Sequence, residues 1–123
     1  MNFEQSVEFK KDLKKLAKKW RSLPDDIISA QQDILPLFVE QKGVDIVRLR
    51  DAFFGGKRAT ILYKSDTVEV VKMRLDVQSL SSNNKVRVVF VAVKTASQIT
   101  FVELYAKNEK DREDPSRYKR FLK

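Results

Sequence analysis

The first part of the chain has the three- and four-residue spacing of apolar positions that is typical of amphipathic helices. Between residues 9 and 20 these positions form one stripe, which predicts a helix that buries Phe9, Leu13, Leu16, Ala17 and Trp20. Residues 2 to 8, which precede this helix, are predicted to contain a short strand.

A second helix is predicted to begin at Pro24. Proline suits the first turn, and the carboxylates of Asp25 and Asp26 favour the positive end of the helix dipole. Pro36 is expected to kink or end this helix. The short connection at residues 22 and 23 suggests a helical hairpin. The predicted buried side of the second helix comprises Ile27, Ile28, Ile34, Leu35 and Phe38.

After residue 66 the pattern changes to the two-residue alternation of β-strands. One face of the first such strand is predicted to be buried and comprises Val71, Met73, Leu75 and Val77. The other face is predicted to meet water and comprises Val70, Lys72, Arg74 and Asp76. A turn at residues 81 to 84 leads to a central, well-buried strand over residues 85 to 93. A turn at residues 96 to 98 precedes a third strand over residues 99 to 106.

Residues 41 to 66 are less regular, because Gly43 and the pair Gly55-Gly56 interrupt them. They predict a long connection that holds one short helix or strand, with residues 59 to 63 as an additional edge strand. Near the end of the chain, Asp114 and Pro115 predict the N-cap and the first residue of a short helix. The apolar side of this helix is predicted to comprise Tyr118, Phe121 and Leu122.

These elements predict an α+β fold. An N-terminal helical hairpin is expected to pack on a small, mainly antiparallel twisted sheet, and the chain is expected to end in a short helix. A length of 123 residues fits one domain spanning residues 1 to 123. No apolar run approaches the roughly 20 residues that span a bilayer, so we expect a cytoplasmic protein that does not engage a membrane.

Cysteine and histidine are both absent from the sequence. Their absence excludes disulfides, thiolate nucleophiles, imidazole acid–base catalysis and the usual zinc ligands. The acidic residues are scattered among lysines and have no metal-ligand spacing. We therefore expect no metal and no small-molecule cofactor.

The chain carries 25 lysines and arginines against 17 acidic residues, which gives a formal net charge of +8. Such an excess favours a polyanionic partner, although it also occurs in proteins that need solubility or bind an acidic protein. The first helix is strongly basic, and the simpler interpretation of its lysines is a solvated surface. They are Lys10, Lys11, Lys14, Lys15, Lys18 and Lys19.

Arg87 interrupts an apolar run that is otherwise predicted to be buried. A buried charge requires an anionic partner or an open groove. One interpretation is an arginine that pairs with Glu69 or Glu103, or that lies at the exposed beginning of its strand. The other is a phosphate-binding arginine that faces Lys72 and Arg74 across a hairpin.

The C-terminal stretch combines cations with two tyrosines, and aromatic rings among cations can stack on bases and bind phosphates. Tyr118 has a simpler interpretation as a core residue of the terminal helix. The further basic residues that we predict to bind RNA are Lys85, Arg112, Arg117, Lys119 and Arg120.

The order of these elements and several local strings resemble the RelE/ParE superfamily of bacterial type II toxins. Residues 9 to 16 are similar to the first helix of that family, residues 72 to 75 to its strand with a lysine and an arginine, and residues 86 to 90 to its signature arginine strand. Residues 103 to 110, followed by Glu113 and Asp114, are similar to the ending of many RelE-like members. The resemblance covers most of the chain except residues 41 to 66.

The resemblance implies a RelE-like fold and a ribosome-dependent mRNA endonuclease that a cognate antitoxin holds inactive. It implies that the RNA 2′-hydroxyl attacks the adjacent phosphate without a metal. The catalytic positions carried over from the family are Lys72 or Arg74, then Arg87, then Lys107 or Lys110, then Tyr118. The partners implied are the antitoxin, mRNA and the ribosome.

Within this scheme, Arg87 is expected to bind the phosphate oxygens and Lys72 to act as a base or electrostatically. Tyr118 is expected to stack on a base or donate a proton. Lysine and tyrosine normally titrate near pH 10, so either acts as a base only if neighbouring cations lower its pKa. Two alternatives remain open: a ParE-like inhibitor of DNA gyrase, and a non-catalytic basic module that binds an antitoxin.

Overall fold

A computed structural model describes residues 1–80 and 85–122. It shows an α+β fold with a five-stranded, mainly antiparallel sheet and a short C-terminal helix, as predicted. The helices are α1 (Val7–Ala17), α2 (Leu23–Ile34), α3 (Ile46–Gly55) and α4 (Ser116–Lys119). The strands are β1 (Asn2–Gln5), β2 (Ala59–Lys64), β3 (Val68–Arg74), β4 (Val86–Val93) and β5 (Gln98–Ala106).

The strand order is β1-β5-β4-β3-β2, with β1 parallel to β5 and the other neighbours antiparallel. The prediction that residues 85 to 93 form a central, buried strand is confirmed by β4. The predicted short first strand and third hairpin strand are confirmed by β1 and β5. The turn predicted at residues 81 to 84 lies outside the described residues.

The main apolar core lies between α1, α2 and one face of the sheet. Phe9 and Leu16 of α1 are buried there, as is Trp20 beyond the end of that helix. Ile27 and Ile34 of α2 are also buried, but Ile28 is 55% exposed, so its predicted burial is wrong. The physical reason is the helical period, since a residue next to Ile27 points about 100° away from it.

Pro36 lies in a 3₁₀ turn over Leu35–Leu37, which ends α2 as predicted. The segment of residues 41 to 66 contains a helix, α3, and a strand, β2, in agreement with the prediction of one short helix or strand and an additional edge strand. Asp45 caps α3 by accepting a hydrogen bond from the Arg48 amide at 3.2 Å. The predicted edge strand is confirmed, because β2 pairs only with β3 within the described sheet.

The other face of the sheet carries a second apolar cluster. Its buried members are Val68, Val70, Val89, Val91, Val102 and Tyr105. Tyr118 of α4 packs against this cluster, and so do Phe121 and Leu122. The predicted packing of these three residues is confirmed, but Phe121 and Leu122 follow the end of the helix rather than form its side. The prediction that Val70 faces water is therefore wrong, because the C-terminal segment covers its face.

Within the described residues, no helix combines the length and the apolar character that a membrane crossing requires.

Candidate functional site

The strand register brings three predicted cations to the sheet face of the second apolar cluster. Arg74 lies directly opposite Arg87, and Arg87 lies directly opposite Tyr105. Lys72 is two residues before Arg74, so its side chain leaves the sheet on the same face. The strand register thus confirms the predicted placement of Arg87 on the same face as Lys72 and Arg74. Phosphate binding by Arg87 stays a prediction.

Arg87 is 7% exposed, and its Nη1 donates to the Val86 carbonyl at 3.5 Å. Burial lowers the pKa of its guanidinium, and the nearby charge of Arg74 lowers that pKa further. Like charges directly opposite each other in a sheet repel. Arg74 and Arg87 therefore concentrate positive charge on this face of the sheet.

The two carboxylates considered as alternative partners for Arg87 bind other cations. Glu69 is 1% exposed. Its carboxylate forms ion pairs with Arg50 Nη2 at 2.6 Å and with Lys94 Nζ at 2.9 Å. Glu103 accepts from Lys110 Nζ and, at 2.8 Å, from the backbone amide of residue 114.

Arg74, Arg87 and Tyr105 form a row across three neighbouring strands. Tyr105 was not among the site residues predicted from the sequence. Burial raises the pKa of its hydroxyl to about 12, and the carboxylates of Glu113 and Glu103 act in the same direction. The hydroxyl therefore stays protonated at neutral pH and can act as a donor rather than as a base. The alternation along β5 offered a signal for Tyr105, because residues 103 and 105 share one face of the strand.

Lys72 is held by Glu113, whose Oε1 lies 3.0 Å from Lys72 Nζ. Their side chains are 28% and 11% exposed. Burial is the largest single effect and acts to raise the pKa of Glu113. The hydrogen bond from Lys72, a backbone hydrogen bond and the charges of Lys72 and Arg112 together lower that pKa. Glu113 thus places a negative charge within the predicted cationic site. In the sequence, Glu113 was noted only as part of the ending that resembles RelE-like members.

The remaining predicted catalytic residues are dispersed. Lys107 is exposed, and its backbone amide donates to the Lys85 carbonyl at 2.6 Å. Lys110 is bound to Glu103, close enough to Tyr105 for its Nζ to lie 5.8 Å from the ring centre. Tyr118 is half-buried on the second apolar cluster, in agreement with its simpler interpretation as a packed residue.

Two of the five predicted RNA-binding cations are held in ion pairs with α1. Arg120 contacts Glu8 at 2.6 Å, and Arg117 binds the carboxylate of Asp12. Arg117 also donates to the Val102 carbonyl at 3.3 Å, while Asp12 accepts from the Leu104 amide at 3.0 Å. Arg117 and Asp12 together satisfy the hydrogen-bonding groups of β5 beyond the point where β1 ends. The role of Arg117 in this structure is therefore to attach the C-terminal segment to α1 and β5.

Lys85, Arg112 and Lys119 are exposed, and RNA binding by them stays a prediction. The lysines of α1 are exposed too, and α1 packs on the opposite face of the sheet from Arg87. At the edge of the sheet, Lys15 of α1 lines one cleft together with Glu103, Tyr105 and Lys110.

Chemically, the face around Arg87 can bind an anion and stabilise added negative charge on it. Within the part of the chain that the structure describes, no cluster of three or more carboxylates has the arrangement of a metal site. Comparisons of the chain with protein-family models, with curated proteins and with solved structures give no match. The function is therefore inferred from the residues and their geometry.

Proposed function

We propose that the chain is a toxin of a type II toxin–antitoxin system that cleaves mRNA on the ribosome and is held inactive by a cognate antitoxin. The RelE-like identity of the fold and the helical hairpin at its N-terminus are part of this proposal. It is supported by the resemblance of the sequence strings and by the row formed by Arg74, Arg87 and Tyr105, which is the observation that carries it.

The reaction is a transesterification. The 2′-oxygen of the RNA forms a bond to the adjacent phosphorus, and the bond from phosphorus to the 5′-oxygen breaks. The products are a 2′,3′-cyclic phosphate and a 5′-hydroxyl, with one proton lost by the attacking oxygen and one gained by the leaving oxygen. Negative charge accumulates on the phosphoryl oxygens, where paired guanidinium groups stabilise it.

The roles of the residues follow from their surroundings. Arg87 and Arg74 bind the phosphate, and the protonated hydroxyl of Tyr105 is a candidate donor to an oxygen. Lys72 supplies positive charge rather than a base, because its Nζ already interacts with Glu113. Because the sequence contains no histidine, we infer that positioning of the RNA by the ribosome supplies much of the rate.

The test compares Arg87→Gln with Arg48→Gln, an identical change at an exposed position on α3. Primer extension on mRNA from expressing cells should show cuts within translated codons for the wild type and for Arg48→Gln. Arg87→Gln should abolish both the cuts and the growth arrest, with the fold checked by circular dichroism. Growth arrest that persists in a folded Arg87→Gln variant would reject the mechanism.

A second candidate is a non-catalytic basic module that binds an antitoxin. It is favoured by the carboxylates already bound to two predicted catalytic lysines, Glu113 on Lys72 and Glu103 on Lys110. It predicts intact mRNA in cells that express the protein. Intact mRNA together with inhibited supercoiling by purified gyrase would instead indicate a ParE-like inhibitor.

A further inference from the structure

A cleft of about 490 Å³ lies between the edge strand β2 and the C-terminal segment. Leu62 lines one side, and the other is lined by Arg112, Glu113, Pro115 and Tyr118. The cleft opens on the same sheet face as the second apolar cluster, because Leu62 and Tyr118 both pack against that cluster. Its volume is in the range of small-molecule sites.

The lining suits a nucleobase. Leu62 and Pro115 offer apolar surface, Tyr118 offers an aromatic ring, and Arg112 offers a planar cation. Proteins that bind single-stranded RNA hold unstacked bases with this combination of aromatic rings and guanidinium groups.

The polar end of the cleft is marked by Glu113. Glu113 lines the cleft, and its carboxylate binds Lys72 Nζ at 3.0 Å. Lys72 lies two residues before Arg74 on β3. A carboxylate on a lysine of a cationic face occupies a position that a phosphate oxygen could take. Glu113 belongs to residues 107–115, a segment without helix or strand. Its side chain can therefore move away from Lys72 without breaking a helix or a strand.

We propose that this cleft is a nucleotide-binding subsite in which the carboxylate of Glu113 occupies the position of an RNA phosphate until RNA displaces it. The subsite rests on the proposed function, since it extends the RNA path from the row at Arg87 toward β2. Glu113 acts there as an internal competitor, so RNA binding must break its ion pair with Lys72. Removing the carboxylate should therefore strengthen RNA binding.

The experiment measures binding of a short, single-stranded 2′-O-methyl oligoribonucleotide, which cannot be cleaved by 2′-hydroxyl attack. Glu113→Gln is compared with Asp111→Asn, because both remove one negative charge from the same segment and Asp111 is exposed. Glu113→Gln should tighten binding by about fivefold to tenfold, in line with the net contribution of one typical hydrogen bond. Asp111→Asn should change binding by less than about twofold, as expected for a screened surface charge. Equal effects of the two variants would overturn the role of Glu113.

The base-binding part is tested with Tyr118→Leu, which retains an apolar side chain against the second cluster. It should weaken binding of the base-bearing oligonucleotide by at least about fivefold, since stacking on one base contributes that much or more. Binding of an oligonucleotide with abasic sites should stay unchanged. An equal loss for both probes would show that Tyr118 only supports the fold.

These outcomes are separate from the proposed nuclease activity, because the probe cannot be cleaved. If Glu113 and Tyr118 behave as expected while mRNA in cells stays intact, the subsite stands and cleavage fails. If Arg87→Gln abolishes cleavage while Glu113→Gln and Asp111→Asn bind alike, cleavage stands and the subsite fails.

Discussion

At the scale of single residues, Glu69 shows how this chain keeps a charge inside its core. The carboxylate lies between Arg50 and Lys94, and Arg50 in turn stacks near the rings of Phe38 and Phe54. Burial acts to raise the pKa of Glu69, but the hydrogen bonds from its two cations lower it. The site is therefore an ion cluster that joins α3, β3 and the turn after β4.

Replacing Glu69 with glutamine leaves two cations facing each other without a carboxylate. We expect a loss of about 1–3 kcal/mol in the free energy of unfolding at pH 7, smaller than for a fully buried pair because both cations are partly exposed. Since the folded pKa of Glu69 is lowered, its contribution is present above the unfolded value near pH 4.3 and disappears as pH falls through the folded pKa.

Urea denaturation at several pH values checks this prediction. The gap between wild type and Glu69→Gln should narrow toward pH 3, and the exposed control Glu40→Gln should match the wild type throughout. A gap that stays constant with pH would contradict the ionic role of Glu69.

For Tyr105 we predict the opposite pH dependence, a contribution to stability that is lost at alkaline pH. Its folded pKa is raised to about 12, so the stability that its neutral hydroxyl provides is complete below pH 10 and is lost as pH rises toward 12. Between pH 9 and pH 11 the wild type should lose about 1 kcal/mol more stability than Tyr105→Phe. Tyrosinate absorbance should show one late ionisation that Tyr105→Phe removes; its persistence in that variant would contradict the assignment.

At the scale of elements, α1 carries an excess of positive charge, with four lysines against two acidic residues. Its two acids, Glu8 and Asp12, are bound by Arg120 and Arg117, while Lys10 and Lys14 lie one turn apart. Like charges at this spacing destabilise a helix. A charge run that lowers the stability of its own helix indicates a role outside folding.

Lys10→Glu should stabilise the protein by about 0.5–1 kcal/mol. The change replaces repulsion with attraction toward Lys14 and places a negative charge nearer the positive end of the helix dipole. Thermal unfolding compares it with Lys42→Glu, which makes the same charge change at an exposed position outside the helices. Similar stability changes in both variants would point to net charge rather than to the helix.

Elements with strong periodicity were predictable. The stripe from Phe9 to Leu16 and the alternation through Val71 and Met73 each identify their element and its buried face. The prediction was incomplete where burial depends on distant residues. Val70 is covered by a chain end about fifty residues later, and no local pattern records that contact.

The candidate site was predictable to the same degree. Alternation along two strands joined as a hairpin places Lys72, Arg74 and Arg87 on one face, which needs only local register. The pairing of Lys72 with Glu113 spans forty-one positions and depends on the path of the C-terminal segment. For that reason the sequence identified the cations but missed the carboxylate that lies among them.

At the scale of the whole molecule, a net charge of +8 is distributed over both sides of the sheet. RNA binding should therefore weaken steeply with salt, because bound phosphates release counterions. The logarithm of the affinity for a single-stranded RNA should fall with the logarithm of salt, and Arg87→Gln should reduce that slope by about 0.7, the value for one phosphate contact. An unchanged slope would remove Arg87 from the RNA interface.

The chemistry of the cut ends tests the central claim most directly. Purified protein is added to ribosomes translating a defined mRNA, and the 5′ ends of the downstream fragments are examined. We predict 5′-hydroxyl ends, which polynucleotide kinase labels without prior phosphatase treatment, and no fragments with Arg87→Gln. Ends that carry a 5′-phosphate, or fragments of equal yield from the Arg87→Gln protein, would contradict 2′-hydroxyl attack at a phosphate held by the arginine row.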